Sequence, residues 1–269
     1  MELQGRLAVV TGASSGIGAE TAVRLARSGA RVALLARGAA GLATTAERVT
    51  AAGGTASVHP ADLGDESAAA AACDTIARAH GVPDLVVNCA GAGRWLFLDE
   101  TPPGEGRAMM DAPYFAALHV SRAFLPAMLA RGSGRLVFVN SPAALMPWPG
   151  ATGYVAARWA LRGLFEALRQ DLAGTGVGAT HVVVGKVASP YFTNNRGAED
   201  RIPAIARLIP TLSPEQAAAI VLSAVERDAG EVVAPAMLRL FAVWGRHVPW
   251  ATAFLLRTTG VRHPPGVSK

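Results

Sequence analysis

A chain of 269 residues that is 51% hydrophobic has the apolar mass for a substantial core, which excludes a disordered or low-complexity protein. It contains no uninterrupted apolar run of the ~18 residues that a bilayer span needs, and its two cysteines, Cys73 and Cys89, make no disulfide framework and suit a reduced, cytoplasmic setting. The net charge of +5 is local: from Val232 onward there is no Asp or Glu, while Arg239, Arg246, Arg257, Arg262 and Lys269 are basic, so the rest is balanced and offers no basic stripe for nucleic acid.

Met1 leads almost directly into a first strand, Leu7 to Val10, with no basic-then-apolar signal segment before it. A Gly-rich turn and a helix through about Ser28 follow, then a strand over Arg31 to Ala36 and a helix to about Ala52. Ser57 to Pro60 reads as a third strand, Asp65 to His80 as a helix, and Asp84 to Cys89 as a fourth strand. One long helix is expected over Arg107 to Arg131, then a strand over Arg135 to Asn140 and a helix over Ala151 to about Ala173. Gly178 to Val184, a helix over Pro214 to Arg227, and a strand over Glu231 to Ala234 complete the pattern. Continuous apolar strands joined by helical crossovers require a parallel sheet covered on both faces. The expected fold is α/β: a Rossmann-type doubly wound parallel sheet in a single domain.

Between the first strand and first helix stands Thr11-Gly12-Ala13-Ser14-Ser15-Gly16-Ile17-Gly18. Glycines there let the backbone turn tightly and approach a pyrophosphate, whose charge the helix N-terminus stabilises. The Thr-Gly-x-x-x-Gly-x-Gly spacing resembles that of the short-chain dehydrogenase/reductase family, and the resemblance covers essentially the whole chain. Asp62-Leu63 after the third strand is similar to the family's adenine-contacting pair, and Asn88-Cys89-Ala90-Gly91 to its Asn-Asn-Ala-Gly. The resemblance thus implies a nicotinamide dinucleotide held by Gly12, Ser14, Ser15, Gly16, Ile17, Gly18, Arg37, Asp62, Leu63, Asn88, Ala90, Gly91, Tyr154, Arg158 and Val187. The second strand ends in Ala36-Arg37 rather than in the acid that would bind a ribose 2′-hydroxyl. A carboxylate would repel a 2′-phosphate, whereas Arg37 can pair with it, which favours NADP(H).

Ser141 follows the fifth strand and Tyr154 comes thirteen positions later, at the start of the next helix. They resemble the family's substrate-binding Ser and acid/base Tyr. The family's Tyr-x-x-x-Lys is here Tyr154-Val155-Ala156-Ala157-Arg158, so Arg158 occupies the position one helical turn beyond the tyrosine. Arginine supplies charge and donors to a nicotinamide ribose but does not readily relay a proton. The family's further Asn aligns with Pro113, with Asp111 two positions away, and proline provides no side-chain donor or acceptor. Lys186, in Val184-Gly185-Lys186-Val187, either presents an ammonium to the substrate pocket or is solvated.

The resemblance places a substrate lid at about 188–213, and an apolar basic segment runs over about 236–269. The latter, interrupted by Pro249 and carrying Trp244 and Trp250 among arginines, suits either packing over the pocket or a second subunit, or peripheral contact with a bilayer. A fairly hydrophobic small-molecule substrate and a homo-oligomer, dimer or tetramer, are implied. The scattered histidines have no metal-ligand spacing. The reading is an NADP(H)-dependent oxidoreductase acting on a carbonyl or secondary alcohol through Ser141, Tyr154 and Arg158. The alternatives are a non-redox enzyme performing elimination, isomerisation or cyclisation on the same scaffold, or a catalytically silent NADP(H)-binding protein.

Overall fold

A computed structural model describes residues 1–263. Seven strands, β1 (Leu7–Thr11), β2 (Arg31–Ala36), β3 (Thr55–Pro60), β4 (Leu85–Asn88), β5 (Gly134–Asn140), β6 (Val177–Val184) and β7 (Glu231–Ala234), form one sheet in the order β3-β2-β1-β4-β5-β6-β7. Every pairing is parallel. The apolar runs are continuous because both faces of each central strand are covered. Val10, Leu34 and Val139 face one core cluster, with α1 (Gly16–Arg27), α2 (Ala39–Ala51) and α8 (Pro214–Glu226). Their neighbours Val9, Leu35 and Phe138 face the other, with α3 (Glu66–His80), α5 (Ala116–Arg131) and α6 (Thr152–Asp171).

Two short helices, α4 (Glu105–Met110) and α7 (Pro190–Asn194), and a terminal pair, α9 (Ala236–His247) and α10 (Pro249–Thr259), are the remaining α-helices among the described residues. The single helix expected over Arg107 to Arg131 is corrected to two. A π-helical turn over Asp111–Phe115 separates α4 from α5. Pro113 lies within it, has no N–H to donate to the helical ladder and crowds the preceding turn, so the spacing widens there. Pro249 ends α9 and opens α10, consistent with its missing donor at a first helical turn.

The strand order reverses between β1 and β4, where successive crossovers leave for opposite sides of the sheet. The carboxyl ends of these strands bound a crevice, the usual ligand position in such sheets.

Candidate active site and dinucleotide cleft

That crevice is a cleft of about 1290 Å³. Its floor is the loop after β1, whose shape demands glycine. Gly12 has φ +65°, and a Cβ there would lie 2.9 Å from the backbone of Cys89 and Ala90. At Gly18 a Cβ would sit 2.3 Å from the Gly12 carbonyl oxygen. The hydroxyl of Thr11 accepts from the backbone N–H groups of Cys89 and Ala90, each at 3.1 Å, tying the ends of β1 and β4 together. Ser15 caps α1 without a side-chain hydrogen bond, so the first N–H groups of that helix face the cleft without a capping oxygen. Gly18→Ala should lose about 1–3 kcal/mol of stability from the forced overlap and weaken dinucleotide binding, checked by thermal unfolding and calorimetric titration.

Of the residues expected at the dinucleotide, Gly12, Ser14, Ser15, Gly16, Ile17, Gly18, Arg37, Asp62, Leu63, Ala90, Gly91 and Val187 all line the cleft. Asn88 does not: it is buried behind it, with its Nδ2 donating to Ser121 Oγ at 3.3 Å. Arg37 is exposed at the rim and makes no ion pair among the described residues. Asp62 holds its own loop by accepting from the Gly64 N–H at 3.0 Å, and His119 Nδ1 bonds the Leu63 carbonyl at 3.0 Å.

Ser141, Tyr154 and Arg158 all line the cleft. Tyr154 is 5% exposed and Arg158 only 7%. The Arg158 guanidinium lies over the Tyr154 ring, 4.9 Å from its centroid, as the one-turn spacing on α6 dictates. It also rests against Gly91, where a Cβ would come within 2.7 Å of Nη2. Its Nε has no hydrogen-bond partner, and Arg158 has no ion pair among the described residues. Asp111, first residue of the π turn, also faces the cleft, whereas Pro113 is buried away from it.

A polar chain, buried at Asn140 and His181 and reaching the surface at Glu231, runs behind these groups, and sequence reasoning missed it. Asn140, the last residue of β5, accepts from the Ser141 N–H at 2.8 Å and donates to the Arg158 carbonyl at 3.1 Å. Its second amide hydrogen goes to His181 Nε2 at 3.0 Å, so His181 donates from Nδ1 to Glu231 at 2.9 Å. That His181 bond holds the Glu231 carboxyl below its usual range. One amide therefore fixes the backbone of both the Ser141 turn and the Tyr154 helix. The available signal was a polar residue closing the apolar run Leu136-Val137-Phe138-Val139 immediately before Ser141.

Over the cleft lies the segment following β6. It leaves at Ala188 and returns at Leu212, where Leu212 N–H bonds the Lys186 carbonyl and Ala188 N–H bonds that of Leu212, both at 2.9 Å. Three contacts clamp it. Arg201 pairs with Glu100 through two bonds of 2.6 and 3.0 Å. Lys186 reaches the cleft, but its ammonium pairs with Glu199 of the covering segment and lies near the Phe192 ring. Tyr191 accepts from Trp95 Nε1 and donates to the Gly93 carbonyl, both at 3.0 Å. Burial, then the neighbouring Tyr154, pushes the Tyr191 phenol up, so it stays a donor. Trp95 lies 5.2 Å from the Tyr154 ring and 5.1 Å from Trp148, making an aromatic cage around the tyrosine. Trp244 lines the cleft and Trp250 is 76% exposed, so the two tryptophans serve opposite sides of the terminal helices.

Fold and cleft together define a doubly wound α/β protein built around a dinucleotide-type crevice whose lining includes Ser141 and Tyr154. The short chain dehydrogenase family model matches residues 6–200. The chain is 36% identical over 233 residues to 1-deoxy-11-beta-hydroxypentalenate dehydrogenase of Streptomyces avermitilis, covering 85% of this chain and 84% of that protein. It is 34% identical over 197 residues to glycine betaine reductase ATRR of Emericella nidulans, covering 73% of this chain but only 16% of that longer protein. A solved metagenomic short-chain oxidoreductase in complex with NADP is similar with a TM-score of 0.73 and 32% identity, covering 87% of this chain and 98% of that one. The chain belongs to the short-chain dehydrogenase family and is an oxidoreductase of that family.

Proposed function

We propose that the protein transfers hydride between NADP(H) and a fairly hydrophobic small molecule, interconverting a carbonyl and a secondary alcohol. The observation that carries this reading is the buried Arg158 guanidinium, stacked on Tyr154, with an orphaned Nε and no carboxylate partner. A buried cation without a counter-group is costly, and ribose oxygens at this end of the cleft would satisfy it. The glycine floor, which a Cβ would fill, and the uncapped α1 N-terminus fit a pyrophosphate at the other end. The bound nicotinamide supplies or accepts the hydride.

In this reading Ser141 Oγ holds the substrate oxygen and Tyr154 Oη exchanges a proton with it. Arg158 places positive charge against the ring face where negative charge develops when the phenol gives up that proton. Asn140 is a positioning residue for both segments. Asp62 and Leu63 would border the adenine, and Val187 and the Ala90-Gly91 backbone would border the nicotinamide end, all five lining the cleft. The walls beyond Tyr154, formed by Trp95, Trp148, Phe192, Ile202, Phe241 and Leu256, are apolar or aromatic and support a hydrophobic substrate.

Arg37, free at the rim after β2, is the discriminating group for the 2′-phosphate. Arg37→Asp should weaken NADPH binding about 10–100-fold, equivalent to losing a charge-assisted hydrogen bond of about 1.5–3 kcal/mol, while NADH binding holds or improves. Titration of both nucleotides checks this; equal losses for the two would remove the assignment. The activity is tested by following NADPH consumption with a panel of hydrophobic ketones. Turnover that requires Tyr154 supports the reading, and product formation without nicotinamide oxidation contradicts it.

A further inference from the structure

The terminal helices are two-sided. Inward, Leu238, Phe241 and Trp244 of α9 and Leu255 and Leu256 of α10 line the cleft. Outward, Met237, Leu240 and Val243 recur at three-residue spacing along α9, and Trp250 and Phe254 stand one turn apart on α10. Leu240 is 64% exposed, Trp250 76% and Phe254 54%. Exposed apolar groups concentrated on two packed helices in this way mark an interaction surface. Arg239, Arg246 and Arg257 are exposed on the same two helices, and no acidic residue occurs beyond Glu231.

We propose that this face docks onto an anionic lipid bilayer, with α9 and α10 lying in the plane of the interface. Neither helix can span, having 12 and 11 residues, and no helix among the described residues is long and apolar enough to cross a membrane. Tryptophan and arginine beside exposed aliphatic groups suit the headgroup boundary, where the ring and the arginine stem are buried and the polar ends stay hydrated. Charge decides between lipid and a second copy of this chain. A two-fold contact sets a patch against itself, which brings these arginines towards those of the other copy with no carboxylate in the segment to answer them. Anionic headgroups answer them directly. Docking leaves the cleft wall one helix thick from the lipid, in keeping with the hydrophobic substrate proposed above, although the docking does not depend on that reading.

The test is co-sedimentation of the full chain with vesicles of phosphatidylcholine alone or mixed with phosphatidylglycerol, which needs no dinucleotide and so stands or falls separately from the redox reading. The protein should pellet with the mixed vesicles only, and its affinity should fall at least tenfold between low salt and about 0.5 M salt. The paired substitutions Leu240→Glu and Trp250→Glu, both outside the cleft, should abolish pelleting at unchanged turnover of a soluble substrate. Should that variant fold poorly, Arg239→Gln with Arg246→Gln and Arg257→Gln should weaken binding to the anionic vesicles at least tenfold. A wild-type protein that stays in the supernatant with the mixed vesicles overturns the proposal. So does a dimer, seen by sedimentation velocity, that the paired substitutions convert to monomer while no vesicle binding is found.

Discussion

Replacing Arg158 with methionine should lower turnover by about 10²–10³-fold, within the range removed with a proton-transfer aid, and leave the dinucleotide-free protein at least as stable as the wild type. The two halves of this expectation come from the same geometry. The guanidinium is almost wholly buried, lacks an ion pair among the described residues and has an unbonded Nε, so the fold bears its desolvation with only the Tyr154 ring in partial return. A methionine fills similar space with no charge to desolvate. What disappears is the positive charge beside the phenol and the donors available to a ribose. Arg158→Lys keeps the charge and should stay within about tenfold of wild type, since charge rather than the planar fork is what the phenol uses. Steady-state kinetics and scanning calorimetry on the same preparations check both halves. Full activity in the methionine variant would remove Arg158 from the site.

Tyr154→Phe should cost more, about 10³–10⁴-fold in turnover, with little change in stability. The substitution removes one oxygen and keeps the ring that packs between Trp95 at 5.2 Å and Tyr191 at 6.3 Å. NADPH affinity should hold, since the glycine floor and Arg37 are untouched. Combining it with Arg158→Met separates two roles of the arginine. If the guanidinium acts through the phenol, the double variant should turn over little more slowly than Tyr154→Phe alone, because effects of groups acting as a unit are far from additive. Multiplying losses would mean that Arg158 serves only the nucleotide.

The sheet was readable in the residues because strands buried on both faces need no alternation: Val9 and Val10, or Leu34 and Leu35, serve opposite cores side by side. The glycine floor was readable for a different reason, since backbone conformation and close approach leave glycine as the residue that fits. The π turn was not, because its local pattern is that of one amphipathic helix and only the missing donor of Pro113 hints at the break. The cage around Tyr154 depends on Trp95 meeting Tyr191 across 96 positions, and the Asn140–His181–Glu231 chain on the register of β5, β6 and β7. Such contacts are set by the assembled fold, not by local periodicity. The terminal helices show the same limit: their apolar and basic composition was visible, but not that Trp244 lines the cleft and Trp250 faces solvent.

The account rests on a nucleotide lying along the loop after β1 with its 2′-phosphate at Arg37, and direct titration of the unmodified protein probes it most simply. NADPH should bind with a measurable heat and at least tenfold more tightly than NADH. Silence in the calorimeter for both nucleotides would contradict the proposed chemistry while leaving the architecture standing.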